Sequence, residues 1–168
     1  MSIKRLLRHA LHPALRVHLL FPRQAMQAIA DAIHVAESHH GGEIRVALEG
    51  ALDWPELRRG VTPRQQAVTL FSELRVWDTE HNDGVLIYLL LAEHAVEIVA
   101  DRGIASRVPA EQWQAVCHTM ENRLRDSRYL DAVLSGVEGL SRLLAEYAST
   151  MDPNKRNELN NWPVVVKR

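Results

Sequence analysis

The chain has 168 residues, 46% of them hydrophobic and 24% charged, and a formal net charge of −1. That length suits one domain with a sizeable core, and so small a net charge supplies no global field for nucleic acid. A lone cysteine, Cys117, excludes an intrachain disulfide and a cysteine zinc cluster and fits a reducing compartment, and no apolar run approaches the ~20 residues of a membrane span.

The first residues are basic: Lys4, Arg5, Arg8, Arg16 and Arg23 precede the first acid, Asp31. A secretory signal needs an uninterrupted apolar stretch, and Arg8, His9, His12, Pro13, Arg16 and His18 break this one. Ile3, Leu6, Leu7, Ala10, Leu11, Ala14 and Leu15 recur at helical spacing, with the basic residues mostly on the other face. The pattern predicts a basic amphipathic helical segment over residues 1–21. Such a helix either lies on an anionic membrane surface or packs on its own domain or a protein partner. The expected location is cytoplasmic, peripheral at the membrane if the first alternative holds.

Residues 22–148 read as an α/β domain. Pro22 opens a helix whose inner face is Met26, Ile29, Ala30, Ile33 and Ala36, and Gly41 or Gly42 supplies a left-handed stop. Ile44, Val46 and Leu48 alternate with Glu43, Arg45 and Glu49, which predicts a half-buried strand. A loop over 50–61 follows. Thr62, Pro63 and Gln65 form a capping box with proline in the first turn, opening a helix with Ala67, Leu70, Phe71 and Leu74 inward.

A polar loop over 77–84 leads into residues 85–91, apolar on both faces and therefore a central strand. Glu93-His94 is read as a tight turn, and residues 96–101 as the returning strand of a hairpin. Two helices follow, over 109–125 and 130–147; Gly136 and Gly139 in the second each cost about 1 kcal/mol relative to alanine and allow close approach to the sheet. Residues 149–168 read as a tail, with 162–166 as a docking strand. The predicted architecture is a three-layer α/β/α sandwich with a small mixed sheet containing a hairpin.

The hairpin makes a geometric prediction. Closure at Glu93-His94 sets the start of the central strand opposite the end of its partner, so Asp83 and Asp101 come within reach of one ligand, and the loop can bring Asp78 or Glu80 over them. Clustered carboxylates repel unless a cation or a proton sits among them, and Ca²⁺ or Mg²⁺ prefers oxygen ligands. The candidate metal residues are therefore Asp78, Glu80, Asp83 and Asp101. The competing reading is plain: Asp78 and Glu80 are solvated acids and Asn82-Asp83-Gly84 is a turn. The EF-hand pattern fails, because Gly84 comes one residue late and Leu89 stands where the closing Glu belongs. His81 is the histidine beside the loop, and Arg102, with Arg107 behind it, is the local cation for phosphoryl oxygens. No nucleophile elbow, Gly-rich phosphate loop or paired-histidine metal motif is present. Cys117 reads as a core thiol, and Trp77 and Trp113 as packing residues.

The runs Asn82-Asp83-Gly84-Val85-Leu86-Ile87-Tyr88 and Val96-Glu97-Ile98-Val99-Ala100-Asp101-Arg102-Gly103 resemble the TPM domain family. The likeness starts near Glu43-Ile44-Arg45-Val46 and continues through Gln66-Ala67, Leu70-Phe71 and Ala132-Val133-Leu134-Ser135-Gly136-Val137, covering about residues 25–148. The resemblance implies an α/β/α sandwich, binding of Ca²⁺ or other divalent cations through acidic loops, an acid phosphatase activity in a plant member, and accessory or assembly roles for membrane complexes in others. Members often carry a signal peptide and a membrane helix; this chain resembles a shorter bacterial subgroup opening with a basic helix. The common Asp-Asn-Gly turn is Asn82-Asp83-Gly84 here, and Asp101 stands where many members have glycine, so the carboxylates are displaced from the family pattern. Three functions follow as expectations: a divalent-metal-binding accessory module, a metal-dependent phosphohydrolase with Asp83, His81 and Arg102 in the reaction, and a helix-mediated interaction protein.

Overall fold

A computed structural model describes residues 3–11, 14–148 and 157–166. Parts of the expected N-terminal segment and residues 149–156 and 167–168 of the expected tail lie outside the described residues, as do the side chains of Ile3, Ala14 and Leu15. The elements, in chain order, are α1 (Ile3–Ala10), α2 (Ala14–Leu20), α3 (Arg23–Glu37), β1 (Glu43–Glu49), α4 (Trp54–Arg59), α5 (Pro63–Glu73), β2 (Gly84–Leu90), β3 (Ala95–Ala100), α6 (Arg102–Ala105), α7 (Ala110–Arg125), α8 (Tyr129–Tyr147) and β4 (Val164–Val166).

The four strands form one mixed sheet in the order β3-β2-β1-β4. β1 is parallel to both β2 and β4, and β2 and β3 form the expected antiparallel hairpin. Alternate strand residues feed two cores. Ile44, Val46, Leu48, Val85, Ile87 and Leu89 pack with α3, α7 and α8 on one face. Ala47, Leu86, Tyr88 and Leu90 pack with α4 and α5 on the other. Both faces of β2 are therefore buried along its whole length, which its unbroken apolar run requires. This is the predicted α/β/α sandwich, and β4 is the expected docking strand.

Local signals account for several boundaries. At α5, Thr62 Oγ1 accepts the Gln65 N–H at 3.2 Å, and Gln65 Oε1 accepts the Thr62 N–H at 2.9 Å, the reciprocal cap its sequence predicts. The expected loop over 50–61 instead contains α4. Asp53 and Glu56 carry capping-box spacing, the Glu56 carboxylate accepts the Asp53 N–H at 3.0 Å, and Gly60 stops the helix at φ 71°.

Other expectations need correction. The N-terminal segment holds two helices, α1 and α2, rather than one. α3 ends at Ser38 in right-handed geometry; neither Gly41 nor Gly42 has a positive φ. The hairpin closes through a 3-10 turn over Leu91–Glu93 and a left-handed His94, because Leu90 pairs with Ala95. β1 is buried on both faces rather than half-buried, because strands flank it on both edges and helices cover both sides. Gly136 and Gly139 approach α7, not the sheet: a Cβ at Gly136 would lie 2.3 Å from the Met120 sulfur, and one at Gly139 would lie 2.9 Å from a Val116 methyl.

Candidate functional site

One end of the sheet gathers three acidic residues: Glu43 opens β1, Asp83 immediately precedes β2 and Asp101 immediately follows β3. Glu43 pairs with Gly84, and its N–H donates to the Asp83 carbonyl at 3.4 Å. The Asp101 N–H donates to the Gly84 carbonyl at 2.9 Å. Glu43, Asp83 and Asp101 are 1%, 3% and 8% exposed. Asp101 Oδ1 caps α6 by accepting the Arg102 N–H at 2.7 Å, while its enclosed Oδ2 has no hydrogen-bond partner among the described residues.

The acidic loop is held against this end. Thr79 Oγ1 accepts the Asp83 N–H at 3.2 Å, and Asn82 takes a left-handed turn at φ 53°. Gly103 lies against the loop backbone: a Cβ there would come within 2.5 Å of the Asn82 carbonyl oxygen and 2.9 Å of that of His81. Only glycine permits so close an approach.

The hairpin thus brings Asp83 and Asp101 to one sheet end. Asp78, Glu80 and His81 stay exposed on the loop, and Arg102 is exposed at the start of α6. Glu80 contributes its backbone N–H to Glu158 Oε2 at 2.9 Å. Among the described residues, no three His, Cys, Asp or Glu side chains are grouped to hold a metal ion.

The segment 157–162 closes the same end, which sequence reasoning missed. The Leu159 N–H donates to Glu43 Oε2 at 3.2 Å, Asn161 Nδ2 donates to Glu37 Oε2 at 2.9 Å, and the Arg45 guanidinium donates to the carbonyls of Asn160 and Trp162. Buried Glu43 and His40 also belong to this end by their place in the chain. The available signal was Glu43 itself, an acid opening a strand as Gly84 opens the next.

The opposite end of the sheet carries a second polar network. The Tyr88 hydroxyl donates to Glu49 Oε2 at 2.6 Å, and Gln66 Nε2 donates to the same carboxylate at 3.0 Å. Burial, and then the Glu49 charge, hold the Tyr88 hydroxyl well above the usual phenol range. α1 attaches here through Leu6, which packs on the core of the α4 and α5 face, and through a polar stripe. His9 Nδ1 accepts the Leu52 N–H at 3.0 Å, which places the proton of a neutral ring on Nε2, facing Glu93 Oε1 at 2.9 Å. Arg5 donates to the same Glu93 oxygen at 2.8 Å and to the Val61 carbonyl at 2.6 Å. A cleft of about 530 Å³ lies beside this attachment, lined by Leu6, Leu7, Leu52, Trp54 and Leu57 among others. Gly50 after β1 and Val166 of β4 also line it, so it opens at the carboxyl ends of parallel strands, where open α/β sheets take ligands.

No curated protein matches the chain. Among solved structures it is similar to BA42 from the psychrophilic bacterium Bizionia argentinensis, at 26% identity and a TM-score of 0.72, over 85% of this chain and 93% of that one. It also shares its fold with the N-terminal domain of a P. gingivalis protein, at 17% identity and a TM-score of 0.62, over 79% and 83% of the two chains. Residues 18–143 match the TPM domain, most of the sandwich including the hairpin and the acidic loop; the chain belongs to the TPM domain family.

Proposed function

We propose that this TPM domain is an accessory or assembly module that holds a divalent cation, Ca²⁺ or Mg²⁺, between Asp83 and Asp101. One observation carries the reading: Asp101 Oδ2 is buried and without a hydrogen-bond partner among the described residues, one strand from buried Asp83. A buried acceptor left unsatisfied costs about 1–3 kcal/mol, and an oxygen-seeking cation removes that cost. The carbonyls of His81 and Asn82, turned toward Gly103, are further oxygens of the kind such an ion takes. When bound, the ion would neutralise the paired carboxylates. Asp83 and Asp101 would hold the loop over 79–83 against α6, with exposed Asp78 and Glu80 joining only through loop movement. Docking, to a protein or to an anionic membrane surface, falls to the basic N-terminal helix.

Calorimetric titration with Ca²⁺ and with Mg²⁺ tests the cation. Heat of binding and a raised melting temperature are expected in the native protein, and loss of both in Asp83→Asn and Asp101→Asn. A native protein that binds neither ion overturns the reading. The exposed Arg102 directly after Asp101 supports a second reading, a metal-dependent acid phosphatase-type phosphohydrolase, since phosphoryl transfer needs a cationic clamp. Hydrolysis of a generic phosphomonoester, abolished by Asp83→Ala with the fold retained, would replace the accessory reading with that one.

A further inference from the structure

We propose that α1 and α4 together form a docking face for an anionic lipid bilayer. The inference deepens the docking part of the proposed function and is independent of the cation.

An ordinary surface helix turns its apolar stripe to the core. α1 turns Leu6 to the core but adds two polar anchors, Arg5 and His9, which lie one turn apart and bind Glu93, Val61 and Leu52. The stripe of Lys4, Leu7, Arg8 and Leu11 is left facing out, with Leu7 and Leu11 59% and 68% exposed. This revises the expected arrangement of apolar and basic faces: leucines and basic residues share the outer surface.

The patch continues onto α4. Trp54, 57% exposed, lines the same cleft as Leu7. Arg58 lies one turn beyond Trp54, and both Arg58 and Arg59 are exposed. Large apolar side chains flanked by arginine and lysine match the two layers of a bilayer surface. Tryptophan and leucine enter the boundary between headgroups and acyl chains, and each basic residue near an anionic leaflet adds about 1 kcal/mol. A second copy of the chain is a poorer occupant, because it would bring the same cationic rim against itself. Of the acids in this region, Glu93 is engaged by Arg5 and His9 and Glu56 is buried in the α4 cap, while Asp53 lines the cleft itself; Lys4, Arg58 and Arg59 stay exposed around it.

The test is co-sedimentation of the full chain with phosphatidylcholine vesicles, with and without phosphatidylglycerol, in EDTA. Binding is expected only to the anionic vesicles and is expected to fall with salt. The charge reversal Arg58→Glu should weaken it roughly five-fold or more, since each basic residue contributes about 1 kcal/mol. The triple substitution Leu7→Ser, Leu11→Ser, Trp54→Ser should abolish it while leaving the circular dichroism spectrum unchanged. These side chains are exposed, so the fold is expected to survive. Equal binding to both vesicle types, no binding to either, or full binding by the triple variant overturns the proposal. So does light scattering that shows a dimer dissolved by the triple variant, with no vesicle binding. Cation titration of the triple variant should match the native protein, so failure here is distinguishable from failure of the cation site.

Discussion

Cys117 on α7 lines a cleft with Arg64, Glu97 and Trp113. Burial, reinforced by the charges of Glu97 and Glu121, pushes its thiol up to about 11. The thiolate is the reactive form, so alkylation by iodoacetamide at neutral pH should be slow in the folded protein and fast in guanidinium. The folded pKa lies above the ordinary 9.0. The thiol's contribution to stability is therefore complete below pH 9 and lost as pH rises toward 11. The melting temperature of the native protein should fall across that window more than that of Cys117→Ala. Tyr88 is a second sensitive position. Tyr88→Phe removes the short bond to the buried Glu49 carboxylate and should cost about 1.5–3 kcal/mol, the usual range for a hydrogen bond to a charged group. Urea denaturation with an unchanged midpoint would contradict that.

At the level of elements, α8 is fitted to α7 through Gly136. Alanine there gains about 1 kcal/mol of helix propensity. Its Cβ, however, would lie 2.3 Å from the sulfur of Met120, which is fully enclosed. Overpacking of this kind costs about 1–3 kcal/mol, so Gly136→Ala should lower stability in chemical denaturation; a stabilised variant would refute the close approach. This fit was only half visible in the sequence, which shows a glycine but not its neighbour. Elements marked by local chemistry were legible: the α5 cap, the α7 and α8 periodicities, and the apolar run of β2. α4 was equally marked, by Asp53, Glu56 and Gly60, but exposed Trp54 and Pro55 hid its short pattern. The candidate site divides the same way. The hairpin sets Gly84 against Asp101 and follows from local order. The burial of Glu43 and Glu49 depends on which strands flank β1, and alternation along a strand carries no information about that.

For the molecule as a whole, no helix among the described residues is long and apolar enough to cross a membrane. Residues 157–166 have a global role: they cover one edge of β1 and supply the bonds to Glu43, Glu37 and Arg45. Removing residues 157–168 should lower the melting temperature and produce concentration-dependent association by size-exclusion chromatography, because an open strand edge pairs with other chains. A truncated protein that stays monomeric with an unchanged melt would show that β4 is dispensable.

That edge also sets a timetable for biosynthesis. Arg45 and its acceptor at Trp162 are 117 positions apart. The middle of the sheet is therefore translated long before the strand that covers it. During that interval β2 can pair with one side of β1 while the other side stays bare. Contacts of such long range are slow to form, and unpaired edges are where nascent chains go astray. That edge stays open until β4 is made, and a chaperone that grips extended apolar strands would find purchase on β1 up to that point.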